Sequence, residues 1–505
     1  MALSPRAAGR WLPIVVGLAA LTVGCGSTAN RGSGSVASSQ DLSGGGLSGG
    51  GPSGGATATT VGAGSGTLGT RPTAVGANAL AGVGGSNTGA GVGSASAGVG
   101  AGANNQHTPL SVGIIVSKCS NCDILPGYVA PSHSEQDIWQ ALVSGANARG
   151  GIGGRTISPV WAAVDTNATD WNVMFQSVCA TFTQDHHVAV VLGASFGYSE
   201  VLGQCLANAN VLWIDAGFSA GNQSDLTRFP AHFNPNNPSN DVAALLAYTS
   251  AVDDGWLTPK ATLGVIRSDC PADLQVWNET VAPYLRKHSF HVKDDDVLSC
   301  TTGAAGYGTA SSQIQNAELH MRVDGIDTVA IRDIPLVAFA SDAESQHWNP
   351  KYLSVDDGAK YEPYLTSDQI VNVHDAGWLP YQDVDAPQTP GLSTSQKDCL
   401  AELTAGGLTQ LVASEYAAYF RACSGGWLYL AGVLRAGGAV ATAPVVQALA
   451  GLGNTFVNPE VLDQRTLFGS QQHTGPVEYR SNLYDTTCSC FRYSGPPRSM
   501  PTGGG

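Results

Sequence analysis

Positive charge is scarce in this 505-residue chain: 24 Lys and Arg stand against 39 Asp and Glu, for a formal net charge of −15. That shortage argues against nucleic acid as a partner, because such binding rests on neutralising phosphates with Lys and Arg. It also disfavours a peripheral grip on anionic lipid, although a recessed site can carry any local sign. Long apolar runs are lacking too. Nothing reaches the ~20 residues that a bilayer-spanning helix requires. P-loop, protein-kinase and HExxH patterns are absent. Residues 26–107 hold no Phe, Tyr or Trp and almost no charge. Such a segment buries too little apolar surface to offset its ordering entropy, so residues 26–108 are expected to form a flexible linker. Close glycines there, such as Gly62 with Gly64, follow no strand and precede no Lys, which excludes a phosphate loop. Roughly 80 residues of this composition reach about 50 Å.

The N-terminus carries an export pattern. Arg6 and Arg10 precede an apolar run over residues 11–23, which closes on Gly24-Cys25-Gly26. The run is too short to span a bilayer and reads as a cleaved signal over residues 1–25. Leu21-Thr22-Val23-Gly24-Cys25 resembles the lipobox of bacterial lipoproteins, with its Leu one position earlier than usual. The resemblance implies acylation of Cys25 and a chain lipid-anchored to the outer face of the cell membrane.

Eleven cysteines are present, and assigning Cys25 to lipid leaves an even ten. Exported chains with even sets usually pair them. Pairing neighbours in sequence order joins Cys119 to Cys122, Cys179 to Cys205, Cys270 to Cys300 and Cys399 to Cys423. Cys488 and Cys490 are left for each other, a strained closure. A zinc site from Cys119-x-x-Cys122 and Cys488-x-Cys490 is the competing reading, and no flanking His arrangement completes it.

After Pro109, short apolar runs alternate with amphipathic stretches. Val112-Gly113-Ile114-Ile115-Val116 reads as a buried strand. A helix follows from about His133, with Ile138, Leu142 and Ala146 at four-residue spacing and Ser132 with Glu135 as a capping box. Gly150-Gly151 ends it. Further strands are read at residues 156–161, 188–192, 211–214, 261–266 and 326–331, with a helix through Val173, Val178 and Phe182. Strand–helix alternation of this kind implies parallel sheets covered on both faces. Two successive runs of it predict an α/β chain of two doubly wound parallel-sheet lobes joined by a multi-strand hinge. The Pro- and Asn-rich residues 228–241 mark the first crossing. The first lobe is expected to comprise residues 109–230 and 380–460, and the second 231–379 and 461–495. Residues 496–505 would be a disordered tail.

Asn147-Ala148-Arg149-Gly150-Gly151-Ile152-Gly153-Gly154-Arg155 resembles the N-x-x-GGI-x-G-[RK] turn of the type I periplasmic binding proteins, the family of the leucine/isoleucine/valine-binding protein. Further matches keep the family order: Val178-Cys179, Val188 to Gly193, Phe233 to Asp241, Asp327-Thr328-Val329-Ala330 and Pro350-Lys351-Tyr352. Together they span most of residues 109–480. The resemblance implies a monomeric protein that binds a small polar solute, amino-acid-like or amide-like, between its lobes. It would deliver that solute to an ABC permease and ATPase complex, with no cofactor and no metal. Charge-assisted hydrogen bonds in a closed cleft would hold the solute. In the loop Ala194 to Tyr198, Ser195 is the implied carboxylate ligand, with Phe196 and Tyr198 beside it. In the next loop Asp215, Ala216 and Phe218 line the cleft and Ser219 offers a hydroxyl. Asp357 matches the family's ammonium-binding carboxylate but is shorter. Asp269 and Asp333 occupy two more cleft-facing loops. An aromatic residue usual beside Asp269 is missing, which makes a branched-chain amino acid a poor specific guess. Each residue also has a packing or turn role open to it: Ser195 as a helix cap, Asp215 and Asp357 in turns, and the aromatics in the lobe interface.

Two other readings stand. Gly193-Ala194-Ser195-Phe196-Gly197 matches the G-x-S-x-G elbow of serine hydrolases after a β-branched strand, which would need Asp333 with His374 or His473. Alternatively the same fold serves as an extracellular sensor lipoprotein that reports to a separate membrane protein. His186-His187 reads as a solvated helix end rather than a metal site.

Overall fold

Strand β1 (Leu110–Lys118) shows why the chain folds as it does. Leu110, Val112, Ile114, Ile115 and Val116 are all buried, so both faces of the strand are covered, as a central parallel strand requires. The computed structural model describes residues 108–118, 131–193, 197–331, 334–354, 361–362, 364–384 and 391–501. Around β1 stand β2 (Ile157–Asp165), β3 (Val190–Gly193), β4 (Leu212–Asp215) and β5 (His232–Phe233), all parallel, in the order β2-β1-β3-β4-β5. Helices α1 (Glu135–Ala148), α2 (Trp171–Ala180), α3 (Glu200–Asn208) and α4 (Gln223–Arg228) connect them. Ile114 packs into one apolar core and its neighbour Ile115 into another, so the sheet has a core on each face.

A second sheet of seven strands follows after α5 (Asn240–Asp253). Its parallel part holds β6 (Leu263–Ser268), β7 (Val292–Leu298), β8 (Thr328–Ile331), β9 (Lys351–Leu353) and β10 (Val373–Gly377). Helices α6 (Pro271–Val276), α7 (Ala282–Lys287), α8 (Tyr307–Val323), α9 (Ile334–Ser345) and α10 (Ser367–Ile370) lie between them. The chain then returns through α11 (Thr394–Ala405), α12 (Tyr416–Arg435) and α13 (Thr442–Ala450), whose Leu403, Phe420, Leu428 and Leu449 share a core with Ile114. It ends as an antiparallel hairpin, β11 (Glu478–Asp485) and β12 (Cys490–Ser499), on the second sheet. The order there is β12-β11-β10-β9-β8-β6-β7. Among the described residues no helix is long and apolar enough to cross a membrane.

The turn after α1 shows what its residues do. Asn147 accepts the Ile157 N–H at 2.6 Å and donates to the Ile157 carbonyl at 3.0 Å, so one side chain seats the start of β2. Gly151 stands at φ +77° with the Arg155 carbonyl against it, a position closed to any Cβ. Four expected disulfides are present: Cys179–Cys205, Cys270–Cys300, Cys399–Cys423 and Cys488–Cys490. Cys25, Cys119 and Cys122 lie outside the described residues.

Four expectations are corrected. The capping box of α1 is Ser134 with Asp137, not Ser132 with Glu135. Glu135 instead turns inward, where its carboxylate accepts the Ser117 N–H at 2.7 Å. β5 pairs with β4 and so belongs to the first sheet, beyond the boundary expected at residue 230; two residues are too short for a readable period. The last crossing is not at residue 460, because Val461 packs in the second sheet's core and Phe468 in the first's. β12 continues to Ser499, where a tail was expected from residue 496. Its Pro496-Pro497 fall within the register shift between two ladder positions on an edge strand, where a missing N–H costs nothing.

The crossings are bound by buried asparagines. Asn236 donates to the Ala216 carbonyl at 3.2 Å and accepts from Ser424 at 2.7 Å and Asn458 at 3.1 Å. Asn236→Ala leaves one buried Asn458 N–H without its acceptor, while the Ser424 hydroxyl keeps the Arg421 carbonyl at 2.8 Å, and it is expected to lower the unfolding free energy by about 1–3 kcal/mol. Urea denaturation at constant m-value checks this.

Candidate functional site

The carboxyl ends of parallel strands are where open α/β sheets bind ligands, because loops diverge there and helix N-termini point in. In the first sheet that edge is set by β3 and β4. Gly193 ends β3 at φ +119° with Ile115 backbone where a Cβ would stand, and its carbonyl accepts the Ala216 N–H at 2.9 Å. The chain therefore turns sharply out of β4 into residues 215–219.

These residues are held mostly by backbone. Asp215 is fully buried and accepts the Gly217 N–H at 2.8 Å, as an Asx turn does. Asn236 and Asn237 donate to the carbonyls of Ala216 and Gly217. The Ser219 hydroxyl donates to Asn240 at 2.9 Å, and its carbonyl accepts from Asn234. Phe218 alone projects, with its side chain 45% exposed and its ring under the Arg421 guanidinium at 4.1 Å.

Arg421, from α12, is the cation of this edge. It is buried, donates to Gln382 and faces Glu460 at 3.4 Å. Burial pushes the Glu460 carboxyl up to about 8, against the pull of Arg421. Glu135 also feels Arg421, and burial raises its carboxyl as well. Sequence reasoning missed all three, since residues 135, 421 and 460 converge only through the return of α12 to the first lobe.

The remaining expected residues scatter. Tyr198 does not enter the cleft. Its ring stacks with His232 at 5.5 Å and Trp213 at 6.0 Å, beneath Gly221. Ser199 caps α3, donating no room for Ser195 in that role, since the Leu202 N–H is 3.2 Å from its hydroxyl. Asp269 sits at the matching edge of the second sheet, where it accepts the Cys300 N–H at 2.5 Å beside the Cys270–Cys300 bridge. Ser195, Phe196, Asp333 and Asp357 lie outside the described residues. The two histidines weighed for a hydrolytic triad are both in packing: His374 pairs with Asp254 at 3.0 Å, and His473 stacks on Phe233 at 4.5 Å.

The lobes touch across the cleft. Asn222 donates to the Ala272 carbonyl at 3.0 Å and Ser224 to Gln275 at 3.1 Å, both reaching α6. Farther out, loops after β2 and β7 meet backbone to backbone. Among the described residues Asp294, Asp296 and His320 bring potential ligand atoms within 4.8 Å of one another. His320, on α8, stands between the two carboxylates at 3.4 and 3.6 Å, and the acidic residues belong to β7, an edge strand that charge keeps from further pairing.

No family model matches this sequence, and no curated protein matches it. Solved structures do. A possible leucine/isoleucine/valine-binding protein from Rhodopirellula baltica SH 1 is 13% identical at TM-score 0.52, with 78% of this chain and 97% of that one covered. A solute binding protein of an ABC transporter from Rhodopseudomonas palustris HaA2, in complex with p-hydroxybenzoic acid, is 12% identical at TM-score 0.54 over 78% and 98%. The fold is that of the type I periplasmic binding proteins. A branched-chain amino acid transporter substrate binding protein from Streptococcus pneumoniae, in complex with isoleucine, is 15% identical at TM-score 0.51 over 77% and 100%. At these identities the likeness is one of fold.

One titratable group anchors the first lobe's edge. His133, just before α1, meets Glu415 at 2.9 Å and the Tyr419 hydroxyl at 2.9 Å, with the Thr409 carbonyl 2.8 Å from its other nitrogen. The hydrogen bond to Glu415 raises its pKa above the ordinary 6.5. Its contribution to stability is therefore full below 6.5 and lost as pH rises through the raised value. His133→Gln is expected to flatten that alkaline loss, read as the melting temperature between about pH 5.5 and 8.5.

Proposed function

We propose that the chain is an extracytoplasmic solute-binding lipoprotein that captures a small polar solute, amino-acid-like or amide-like, and delivers it to an ABC importer. The observation that carries this reading is the pair of parallel-sheet lobes joined by several crossings and bridged across by Asn222 and Ser224. Lobes so connected close around a ligand by bending at the crossings. The relatives in fold support a solute with a carboxylate: isoleucine and p-hydroxybenzoic acid are bound in two of them, and a third is a fatty acid ABC transporter substrate-binding protein from Thermomonospora curvata.

In this reading the work is capture and release rather than catalysis, and the protein acts as a monomer without cofactor or metal. Ser195 and the backbone N–H groups at residues 218–219 hold the carboxylate, those of Ala216 and Gly217 being taken by Gly193 and Asp215, and Asp357 takes the ammonium of an amino-acid-like solute. Lobe 1 is the first sheet with α11–α13, and lobe 2 is the second. Acylation of Cys25 holds the chain at the outer face of the membrane, and residues 26–108 give it reach.

The test is a thermal-shift screen of the full chain against amino acids, amides, small acids and sugars. A solute at 100 times its dissociation constant is expected to stabilise the fold by about 2.7 kcal/mol. Ser195→Ala and Asp357→Ala are expected to abolish the shift. Absence of any shift, with ester hydrolysis that Ser195→Ala removes, would instead establish the hydrolase.

A further inference from the structure

The two lobes meet at a point as far from the crossings as the sheets allow. β5 and β2 are opposite edges of the first sheet, and β7 is the outermost parallel strand of the second, with β10 at the other end of that parallel run. The crossings leave from β5 and β10. The loops after β2 and β7 therefore stand across the mouth of the cleft from the hinge.

There the contact is peptide to peptide. The Trp171 N–H donates to the Thr302 carbonyl at 2.7 Å, and the Ala304 N–H donates to the Ala168 carbonyl at 2.9 Å. Gly303 lies buried between the two bonds, and a Cβ built on it would stand 2.0 Å from the Thr169 carbonyl oxygen. No side chain fits. Both partners are stiffened from behind. On lobe 2, Cys300 is tied to Cys270 and donates its N–H to Asp269, while Ser299 exchanges two hydrogen bonds with Gln313. On lobe 1, Thr166 donates to the Lys118 carbonyl, the Trp171 indole to the Thr166 carbonyl, and Asp170 caps α2. Two rigid loops meeting through main-chain bonds make a clasp that closes in one register only.

We infer that residues 299–304 and 166–171 form a latch across the cleft mouth, and that this latch restricts the cleft to compact solutes it encloses completely. The selection of solute rests on the solute-binding reading above; the latch itself does not. An extended solute, such as a long acyl chain leaving by the mouth, has to displace Gly303 and leave two main-chain pairs unmade. Asp269 and the Cys270–Cys300 bridge thereby act as positioning residues for closure.

The test uses the full chain with Val173→Cys and Val323→Cys, both exposed and one on each lobe, carrying spin labels for pulsed distance measurement. Without added solute, the latched chain is expected to give a short, narrow distance. Gly303→Val is expected to give a longer and broader one. Ala304→Pro, which deletes one donor at the start of a short helical turn, provides a second variant if Gly303→Val fails to fold, with the same direction expected. Identical distributions in all three chains overturn the latch. Isoleucine, p-hydroxybenzoic acid and palmitate serve as compact and extended probes in calorimetry. Palmitate binding is expected only once the latch is broken, and palmitate binding by the latched chain at its short distance overturns the selection. Compact probes that bind are expected to lose about tenfold or more in affinity with Gly303→Val. If no probe binds while the distances change as expected, the latch stands and the solute-binding reading is what fails.

Discussion

The architecture hangs on a knot of buried amides where the chain passes between its lobes. Asn234, Asn236 and Asn458 are each fully buried, and Asn236 and Asn458 join different passes of the chain through their side chains. Asn234 accepts the N–H groups of Asn236 and Asn237, Asn458 donates to the Pro235 carbonyl, and the Trp378 indole donates to the Asn236 carbonyl. Buried amides need partners for both ends, and Asn458 finds its own in Pro235 and Asn236, more than 200 positions away in sequence. The same knot reaches forward. Through Asn236 and Asn237 it holds the carbonyls of Ala216 and Gly217, so the loop that faces the cleft is positioned by the hinge itself. Bending at the crossings and the shape of the first sheet's carboxyl edge are one mechanical unit.

What was legible in the sequence is what local chemistry dictates. The apolar runs at β1, β3, β4, β6 and β8 announce buried parallel strands, and Asn147 with Gly150-Gly151 announces the turn into β2. The parts that were not legible depend on distant partners. β7 reads Val-Lys-Asp-Asp-Asp-Val-Leu, an acidic edge strand whose inward residues alternate too weakly to stand out. β5 is two residues long and exists because β4 offers it a ladder. Ser132 and Ser134 are equally good caps on paper; Glu135 decides between them by turning to the Ser117 N–H.

The candidate site divides in the same way. Asp215 and Ser219 stand where strand order puts them, at the edge of β4, yet both are absorbed by turn and hinge bonds. Tyr198 follows β3 as a cleft residue would, but a stack with His232 and Trp213 offers it more apolar contact than an open loop. Phe218 stays exposed with the Arg421 guanidinium over its ring. No spacing in the sequence announces that pair, since Arg421 arrives on a helix that has left for the second lobe's side of the chain and returned.

The placement of covalent bonds completes the argument. Cys179–Cys205 joins α2 to α3, Cys399–Cys423 joins α11 to α12, Cys270–Cys300 joins the ends of β6 and β7, and Cys488–Cys490 closes the turn of the last hairpin. Every one lies within a lobe. Three of them close loops of 24 to 30 residues, for which chain entropy alone gives about 3–4 kcal/mol each. Such bonds make each lobe rigid without resisting movement between lobes. The contacts that do cross the cleft, at Asn222, Ser224, Thr302 and Ala304, are hydrogen bonds of modest net strength that water can replace. Rigid halves joined by replaceable bonds are what a reversible closure requires, because flexible lobes would absorb the motion and a covalent clasp would forbid it.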